Sequence, residues 1–300
     1  MTEVKNGMKR IPVWDSHVHL FPPEIYKNWD RYAQKDSWFA YLTRKGEAWA
    51  DAEEAMACAD EAGVEGLVMQ GWYWNDPGLQ QMHNDYMAEC LKKYPDRLKA
   101  FISVNPKLYT DKDQMFHEID MYRRRGFSGI GELGPGGNQY DLNDSGFIDL
   151  LEYAQQYKMP VCIHCGEPVG RDYPGRDRTS LAPIPELVKK YMDVKFILAH
   201  LGGGLPFYEM LRGYGPERFK NVYYDTAANP LIYDIRSLKT VVGIVGPDRL
   251  LYGSDFPLIL YPKKSRDMNM SLFIQDIHEN SGLTEEELQK VFRTNISGLL

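Results

Sequence analysis

The chain has 300 residues, of which 43% are hydrophobic and 26% are charged, and its formal net charge is −7. This composition is typical of a globular protein with a large core. The acidic balance argues against a protein that binds nucleic acid or an anionic membrane surface. There is no run of about 18 apolar residues that would predict a membrane span.

The amino-terminal residues and the cysteines both bear on where in the cell the protein is located. Residues 1–10 contain no apolar segment typical of a secretion signal. The four cysteines do not form a disulfide framework for a chain of this length. A cytoplasmic location is therefore the default expectation.

Eight short apolar runs follow one another along the chain and predict buried strands. Most are rich in Val, Ile, Leu and aromatic residues and end in Gly or Pro, as buried parallel strands do. The runs cover residues 11–20, 64–72, 98–106, 127–135, 159–168, 194–204, 221–228 and 249–257. Helical patterns follow at 51–63, 84–97, 146–160, 183–193 and 283–300. The last of these opens on a capping box formed by Thr284 and Glu287.

Strands that alternate with helices indicate βαβ units, and eight such units predict a (β/α)8 TIM barrel. We expect it to span residues 1–300 as a single domain. An open doubly wound sheet is the alternative. Its dinucleotide-binding form is disfavoured because no G-x-G-x-x-G motif follows the first run.

Residues 20–50, after the first strand, form the longest predicted loop, and this loop is rich in aromatic residues. A βα loop of this length is commonly a lid or a pocket wall. A hydrophobic cluster that covers one rim of the barrel is a second interpretation, compatible with the first. The aromatic residues are Phe21, Tyr26, Trp29, Tyr32, Trp38, Phe39, Tyr41 and Trp49.

Polar residues stand at the carboxyl ends of several predicted strands. Period-two alternation places Asp15, His17 and His19 on one face of the first strand. Later strands end in Glu132, in His164 and Glu167, in His200 and in Asp255. Strand ends converge on one face of a barrel, and imidazole and carboxylate are ligands of zinc, manganese and iron. The pattern predicts a divalent metal site there, while His83, His117 and His278 are interpreted as surface residues.

The ordered motifs H-V-H, E-L-G, I-H-C-G, A-H-L-G-G and G-S-D-F-P follow strands one, four, five, six and eight. Together they resemble the amidohydrolase superfamily. The closest resemblance is to its amidohydrolase-related (amidohydrolase 2) branch of TIM-barrel metal-dependent hydrolases and decarboxylases. The resemblance implies a distorted barrel that holds one or two divalent ions, most simply zinc, with manganese or iron as alternatives.

The resemblance also implies roles for the site residues. His17, His19 and Asp255 would bind the first metal. His164 would bind that metal or a second one, and His200 would bind a second metal or orient the water. Many relatives bridge two metals with a carboxylate after strand four, which the decarboxylase relatives lack, so Glu132 favours a two-metal hydrolase. The alternative is a one-metal site with Glu132 hydrogen-bonded nearby.

The expected reaction is hydrolysis of an amide, ester or lactone bond in a small molecule by metal-activated water. Asp255 would take the proton of that water and pass it to the leaving group. A metal-dependent decarboxylase of a small, aromatic or other carboxylate is the alternative. Two further alternatives are a non-catalytic ligand-binding barrel and a deaminase, in which Glu167 of the H-x-G-E motif would protonate the substrate. A loop carboxylate in a turn is the plainer interpretation of Glu167.

Substrate-binding candidates follow strands two and five. Trp72 and Trp74 could stack on a ring, and Arg171, Arg176 and Arg178 could bind a carboxylate or phosphate. The arginines could instead pair with Asp172 and Asp177 in a solvated loop. Cys162 and Cys165 are interpreted as small core residues, the first pointing into the barrel. The expected partner is a small molecule that can be anionic, and formation of a homo-oligomer is left open.

Overall fold

The computed structural model describes residues 11–300. The prediction about a secretion signal concerns residues 1–10, which lie outside this range. Each of the eight predicted runs contains one strand, and every strand pairs in parallel with the next one in chain order. The strands are β1 Val13–Val18, β2 Val64–Met69, β3 Leu98–Ile102, β4 Gly129–Leu133, β5 Val161–Ile163, β6 Phe196–Leu198, β7 Val222–Asp225 and β8 Leu250–Leu251.

The sheet closes between β1 and the segment that follows β8. The amide of Ser16 donates to the carbonyl of Tyr252 (2.8 Å), and the amide of His19 donates to the carbonyl of Phe256 (2.7 Å). A parallel bridge joins Val18 to Phe256. These contacts bring the two ends of the sheet together into a barrel. The fold is therefore the predicted (β/α)8 TIM barrel, and the open doubly wound sheet is excluded.

Helices connect the strands. In the first half of the chain they are α1 Pro23–Lys27, α2 Trp29–Ala33, α3 Ser37–Leu42, α4 Ala52–Ala62, α5 Pro77–Lys93, α6 Lys112–Arg124 and α7 Ser145–Tyr157. In the second half they are α8 Ile184–Lys190, α9 Leu205–Tyr208, α10 Asn229–Ile232, α11 Ser237–Val245, α12 Ser271–Asn280, α13 Glu285–Gln289 and α14 Asn295–Ser297. Within the described range, no helix is long and apolar enough to cross a bilayer.

Local signals explain where several helices begin and end. The predicted segment 51–63 forms α4, with a capping box between Asp51 and Glu54 and a left-handed Gly63 (φ 67°) after its last turn. The predicted segment 84–97 starts earlier, because Asp76 caps α5 and Pro77 occupies its first position. The capping box of Thr284 is present at α13.

Two layers of apolar side chains surround the strands. The inner layer fills the barrel and draws on six of the strands; its members are Trp14, Val68, Phe101, Cys162, Ile197, Ala199, Leu251 and Ile296. The outer layer lies between the strands and the helices and includes Cys165. Both cysteines are therefore buried core residues, as predicted, with Cys162 inside the barrel.

The alternation predicted for the first strand fails at Asp15. The register of β1 against β2 shifts between Asp15 and Val18. One oxygen of Asp15 accepts hydrogen bonds from the amides of His17 (3.1 Å) and Ser254 (2.9 Å). Asp15 therefore holds the backbone at the closure of the barrel, and only His17 and His19 join the polar cluster described below.

Candidate metal centre

Six buried side chains meet at the carboxyl end of the barrel. They fall into two groups, and within each group the potential ligand atoms lie within 4.8 Å of one another. The first group is His17, His19 and Asp255, and the second is Glu132, His164 and His200. Five strand ends supply these residues, so the barrel brings together what the sequence separates by up to 238 positions.

The first group joins the two ends of the closed sheet. His17 and His19 follow one another at the end of β1, and their Nε2 atoms are 3.2 Å apart. Asp255 Oδ1 lies 3.9 Å from His17 Nε2 and 3.5 Å from His19 Nε2. Separations of this size suit three ligands of one small cation, because each ligand atom would lie about 2 Å from its centre.

The second group lies beside the first, and Glu132 connects them. Glu132 Oε1 lies 2.9 Å from His164 Nδ1 and 3.4 Å from His200 Nε2. Its other oxygen, Oε2, lies 3.5 Å from His17 Nε2 and 3.4 Å from His19 Nε2. The two oxygens of one carboxylate thus face the two groups.

The outer nitrogens of three of these rings are held by oxygens. His17 Nδ1 donates to Asp225 Oδ2 (2.8 Å), and His164 Nε2 donates to the carbonyl of Gly175 (2.8 Å). His200 Nδ1 donates to the carbonyl of Ala227 (3.0 Å). With the proton on the outer nitrogen, the lone pair of the inner nitrogen points into the cluster, as in metal-bound histidines. This donor set fits a divalent metal.

Charge supports the same assignment. Burial opposes the charged form of Glu132, but His164 and His17 hold its pKa well below its usual value. Burial also opposes the charged form of His164, but Glu132 raises its pKa to about 9, so without an ion the ring holds a second proton at neutral pH, which a bound metal would displace. Among the described residues, the only basic side chains with a nitrogen within 4.0 Å of the carboxylates of Glu132 and Asp255 are histidines. Buried carboxylates without a lysine or arginine partner favour a bound cation.

The backbone at two of these positions is left-handed. His200 has a φ of 57° and Asp255 a φ of 65°. Side chains other than glycine rarely adopt this conformation, and it often marks a functional site. Two of the glycines after His200 serve packing: a Cβ on Gly202 would lie 2.7 Å from the ring of Tyr224, and one on Gly203 would collide with the carbonyl oxygen of Gly166.

Asp225 is a site residue that sequence reasoning missed. Besides His17, it receives the amides of His200 (2.9 Å) and Ala227 (3.0 Å) at its Oδ1. Asp225 is the last residue of β7, and the predicted ligands likewise stand at the ends of other strands, so its position could have marked it as a site residue. It was missed because no histidine lies next to it in the sequence and because His17 and His200, its partners, come from β1 and from the loop after β6.

A cavity of about 450 Å³ lies over the cluster. It reaches the metal-ligand candidates His19, Glu132, His164, His200 and Asp255. Aromatic rings, aliphatic side chains and one arginine form much of its remaining wall; among them are Phe21, Leu42, Trp49, Trp72, Tyr73, Arg171, Tyr173, Leu231 and Leu258. The aromatic segment 20–50 therefore contributes to the pocket wall and also packs with Trp74 and Leu79 in a separate hydrophobic cluster.

The predicted substrate-binding residues separate in the structure. Trp72 lines the cavity, and its ring stands edge-on to His19 at 5.3 Å. Arg171 lines the same cavity. Trp74 is fully buried behind the wall, where its Nε1 donates to His83 Nδ1 (3.1 Å). The interpretation of His83 as a surface residue is wrong, since it is completely buried.

The other loop residues after β5 are engaged with each other. Arg178 pairs with Asp172 (2.8 Å), and Arg176 lies 3.3 Å from the same carboxylate. Both arginines border a separate cavity outside the cluster. Glu167 Oε2 accepts a hydrogen bond from the hydroxyl of Tyr173 (2.8 Å) and belongs to neither group of ligand candidates. The loop-partner interpretation fits these three residues better than contact with a substrate.

A TIM barrel with buried histidines and carboxylates at its strand ends defines the class of metal-dependent barrel enzymes. Comparison with known sequences agrees with this class. The chain belongs to the amidohydrolase family, whose model matches residues 14–299.

Known relatives are distant in sequence. The chain is 22% identical over 254 residues to the 2-amino-3-carboxymuconate-6-semialdehyde decarboxylase of Dictyostelium discoideum, and the alignment covers 74% of this chain and 67% of that protein. The fold of this chain is similar to that of 5-carboxyvanillate decarboxylase from Sphingomonas paucimobilis, with a TM-score of 0.71, 16% identity, and coverage of 97% of this chain and 99% of that chain. It is also similar to a dihydroxybenzoic acid decarboxylase from Polaromonas that contains manganese and the inhibitor 2-nitroresorcinol (TM-score 0.68, 18% identity, 97% of each chain).

Proposed function

We propose that this protein is a metal-dependent decarboxylase that releases carbon dioxide from a small, ring-containing carboxylate. The observation that carries the proposal is the cavity over the metal-ligand cluster, with aromatic walls and Arg171 at its side. Flat apolar walls suit a ring, and a guanidinium suits a carboxylate. Decarboxylases among the relatives support this reaction over the hydrolysis expected from the sequence.

Each part of the site has a role in the proposed decarboxylation. The two ligand groups would hold a divalent ion, which would supply a Lewis acid for substrate oxygens. Trp72 covers one side of the ring, and Arg171 pairs with an anionic group. Loss of carbon dioxide breaks a carbon–carbon bond and leaves an electron pair on the ring carbon, which must take up a proton. Asp255, which borders the cavity, is placed to carry that proton.

The test is carbon dioxide release. Protein reconstituted separately with manganese and with zinc is incubated with hydroxybenzoates whose carboxyl groups carry ¹³C, and labelled carbon dioxide is measured. Arg171→Met should raise KM for these anions at least tenfold, while Arg178→Met, in the same loop but outside the cavity, should not. Release that is no faster than in metal-free protein, across the whole panel, would reject decarboxylation.

Hydrolysis of an amide, ester or lactone remains a second candidate, because one observation favours it. The two oxygens of Glu132 face the two ligand groups, at 2.9–3.5 Å from their nearest histidine nitrogens. A carboxylate in this position suits a bridge between two ions, typically about 3.5–4 Å apart.

Metal titration separates the two candidates. A bridging Glu132 predicts that the metal-free protein takes up two equivalents and that Glu132→Gln takes up at most one. Lactone hydrolysis that appears only near the second equivalent would favour the hydrolase. Carbon dioxide release that is complete at one equivalent would favour the decarboxylase with Glu132 as a neighbour.

A further inference from the structure

Tyr73 lies in the loop after β2, beside the metal-ligand cluster, and belongs to none of the sequence motifs described above. Its side chain lines the cavity together with Glu132, His164 and Asp255. Its ring centre lies 5.6 Å from that of His164. Only 6% of the residue is exposed, so a bound ligand in this cavity would face it in a nearly dry setting.

The ring of Tyr73 is held firmly in place. It stacks on Trp72 with 5.0 Å between ring centres and 11° between planes. The ring also packs against Gly134, where a Cβ would lie only 2.6 Å from it. The carbonyl of Tyr73 accepts a hydrogen bond from the side chain of Asn138 (3.1 Å). A ring fixed in this way can present its hydroxyl in one direction without a large loss of entropy on binding.

The hydroxyl of Tyr73, by contrast, has no hydrogen-bond partner among residues 11–300. Buried tyrosines elsewhere are of two kinds: Tyr224 donates to Glu209 (2.6 Å), whereas the hydroxyls of Tyr140, Tyr191 and Tyr252 have no partner among the described residues. Tyr73 differs from these three because it lines the cavity over the cluster, where an unpaired hydroxyl can meet an atom of a bound ligand.

We propose that the Tyr73 hydroxyl donates a hydrogen bond to an anionic oxygen of the substrate at the metal centre. Glu132 and Asp255 make this part of the cavity negative, so an anion there needs neutral donors as well as cations. The phenol keeps its proton at neutral pH, because an ordinary tyrosine hydroxyl titrates only near pH 10. It therefore acts as a fixed donor and does not supply the proton that the ring carbon takes up. The chemical class of the ligand, a ring carboxylate, rests on the proposed function.

The experiment removes one oxygen atom and keeps the ring. Tyr73→Phe is compared with Tyr140→Phe, since the buried hydroxyl of Tyr140 also lacks a partner among the described residues but lies outside the cavity lining. Both variants and the wild type are loaded with manganese, and their metal content is measured. The probes, 2-hydroxybenzoate and 2,6-dihydroxybenzoate, are then titrated in by calorimetry.

We expect equal metal content in all three proteins and at least about tenfold weaker binding of a probe to Tyr73→Phe alone, as for loss of a hydrogen bond to a charged group. The value of kcat/KM should fall by about 10²–10³, as for loss of a donor to a developing anion. Equal affinity of the wild type and Tyr73→Phe would overturn the proposal, and so would the absence of binding by both probes to the wild type.

The outcome for Tyr73 is distinguishable from that for decarboxylation. Binding that depends on Tyr73 without release of carbon dioxide would reject the proposed reaction and keep the role of the hydroxyl. Release of carbon dioxide by Tyr73→Phe with wild-type rate and affinity would reject the role of the hydroxyl and keep the proposed reaction.

Discussion

The carboxylate of Asp225 holds parts of three strands in register at the metal centre. Its Oδ2 accepts a hydrogen bond from the Nδ1 of His17, and its Oδ1 accepts one from the backbone amide of His200. Burial opposes its charge, but the His17 partner lowers the pKa of Asp225 below its usual value. Asp225 is thus a positioning residue, since it fixes which nitrogen of His17 faces the cluster.

Asp225→Asn should weaken metal binding about 10–100-fold, the usual effect of losing the partner of a metal-bound histidine. The amide has similar size, but its nitrogen can face Nδ1 and disturb the proton position. Affinity is measured by competition of the metal-free protein with a fluorescent chelator. Asp234→Asn, whose carboxylate pairs with the exposed Arg236, is the control. An unchanged metal affinity in Asp225→Asn would contradict the role in positioning.

Asp255→Asn tests proton transfer at the cavity. Asparagine keeps an oxygen that can bind metal but cannot hold a transferable proton. Turnover should fall about 10²–10⁴-fold, the usual contribution of general acid–base catalysis, while the circular dichroism spectrum stays unchanged. Metal content is measured in the same samples. If the variant with full metal content turned over substrate at the wild-type rate, Asp255 would not be the residue that transfers the proton, and His200 or Glu132 would have to do so.

At the level of elements, the segment with α1, α2 and α3 is fastened by one buried carboxylate. Asp36 Oδ1 caps α3 by accepting from the amides of Trp38 and Phe39, both at 3.0 Å. Its Oδ2 accepts from the amides of Asn75 (2.6 Å) and Asp76 (3.2 Å) after β2. The cavity wall from this segment therefore depends on a contact with the loop that carries Trp72 and Tyr73.

Asp36→Ala should destabilise the protein by about 2 kcal/mol or more, because it removes a helix cap and leaves buried amides unpaired. It should also raise KM several-fold, because the wall of the cavity loosens. Thermal unfolding and steady-state kinetics check the two effects. Asp51→Ala removes the cap of α4, which does not border the cavity, and should lower stability without changing KM. The same KM in Asp36→Ala and wild type would refute the link between the two loops.

At the level of the whole molecule, His83 makes stability depend on pH. Burial lowers the pKa of His83 from 6.5 to about 4. Its neutral ring donates from Nε2 to the carbonyl of Leu20 (2.9 Å) and accepts from Trp74 at Nδ1 (3.1 Å). Between these two pKa values the unfolded chain binds a proton that the folded chain does not. The contribution of His83 is therefore complete above pH 6.5 and is lost as the pH falls toward 4.

His83→Gln should flatten this dependence. Lowering the pH from 7.5 to 5 should cost the wild type about 2 kcal/mol more unfolding free energy than the variant, from a pKa displacement worth about 1.4 kcal/mol per pH unit. Urea denaturation at the two pH values measures the difference between the proteins. Parallel losses in both proteins would show that His83 does not titrate in this range.

The sequence determined the barrel and most of its metal centre. Strand positions follow from local apolar runs, and the closed parallel barrel brings the strand ends to one face. For that reason His17, Glu132, His164, His200 and Asp255 could be predicted from the sequence as candidate ligands that lie together at one end of the barrel. The spacing of H-V-H survives folding because both residues belong to one strand end.

Only the tertiary structure decided which side chains support that centre and which face the cavity. The partner of His17 is Asp225, 208 positions away, and no local pattern encodes this contact. Trp72 and Trp74 are two positions apart, yet one lines the cavity and the other is buried behind it, because the loop after β2 is shaped by contacts with Asp36 and Asn138. His83 of α5 is likewise buried with its Nε2 paired to the carbonyl of Leu20, which lies in the loop after β1. Such contacts arise when distant segments pack, so the side chain that each position meets is set by the whole barrel rather than by its neighbours in the chain.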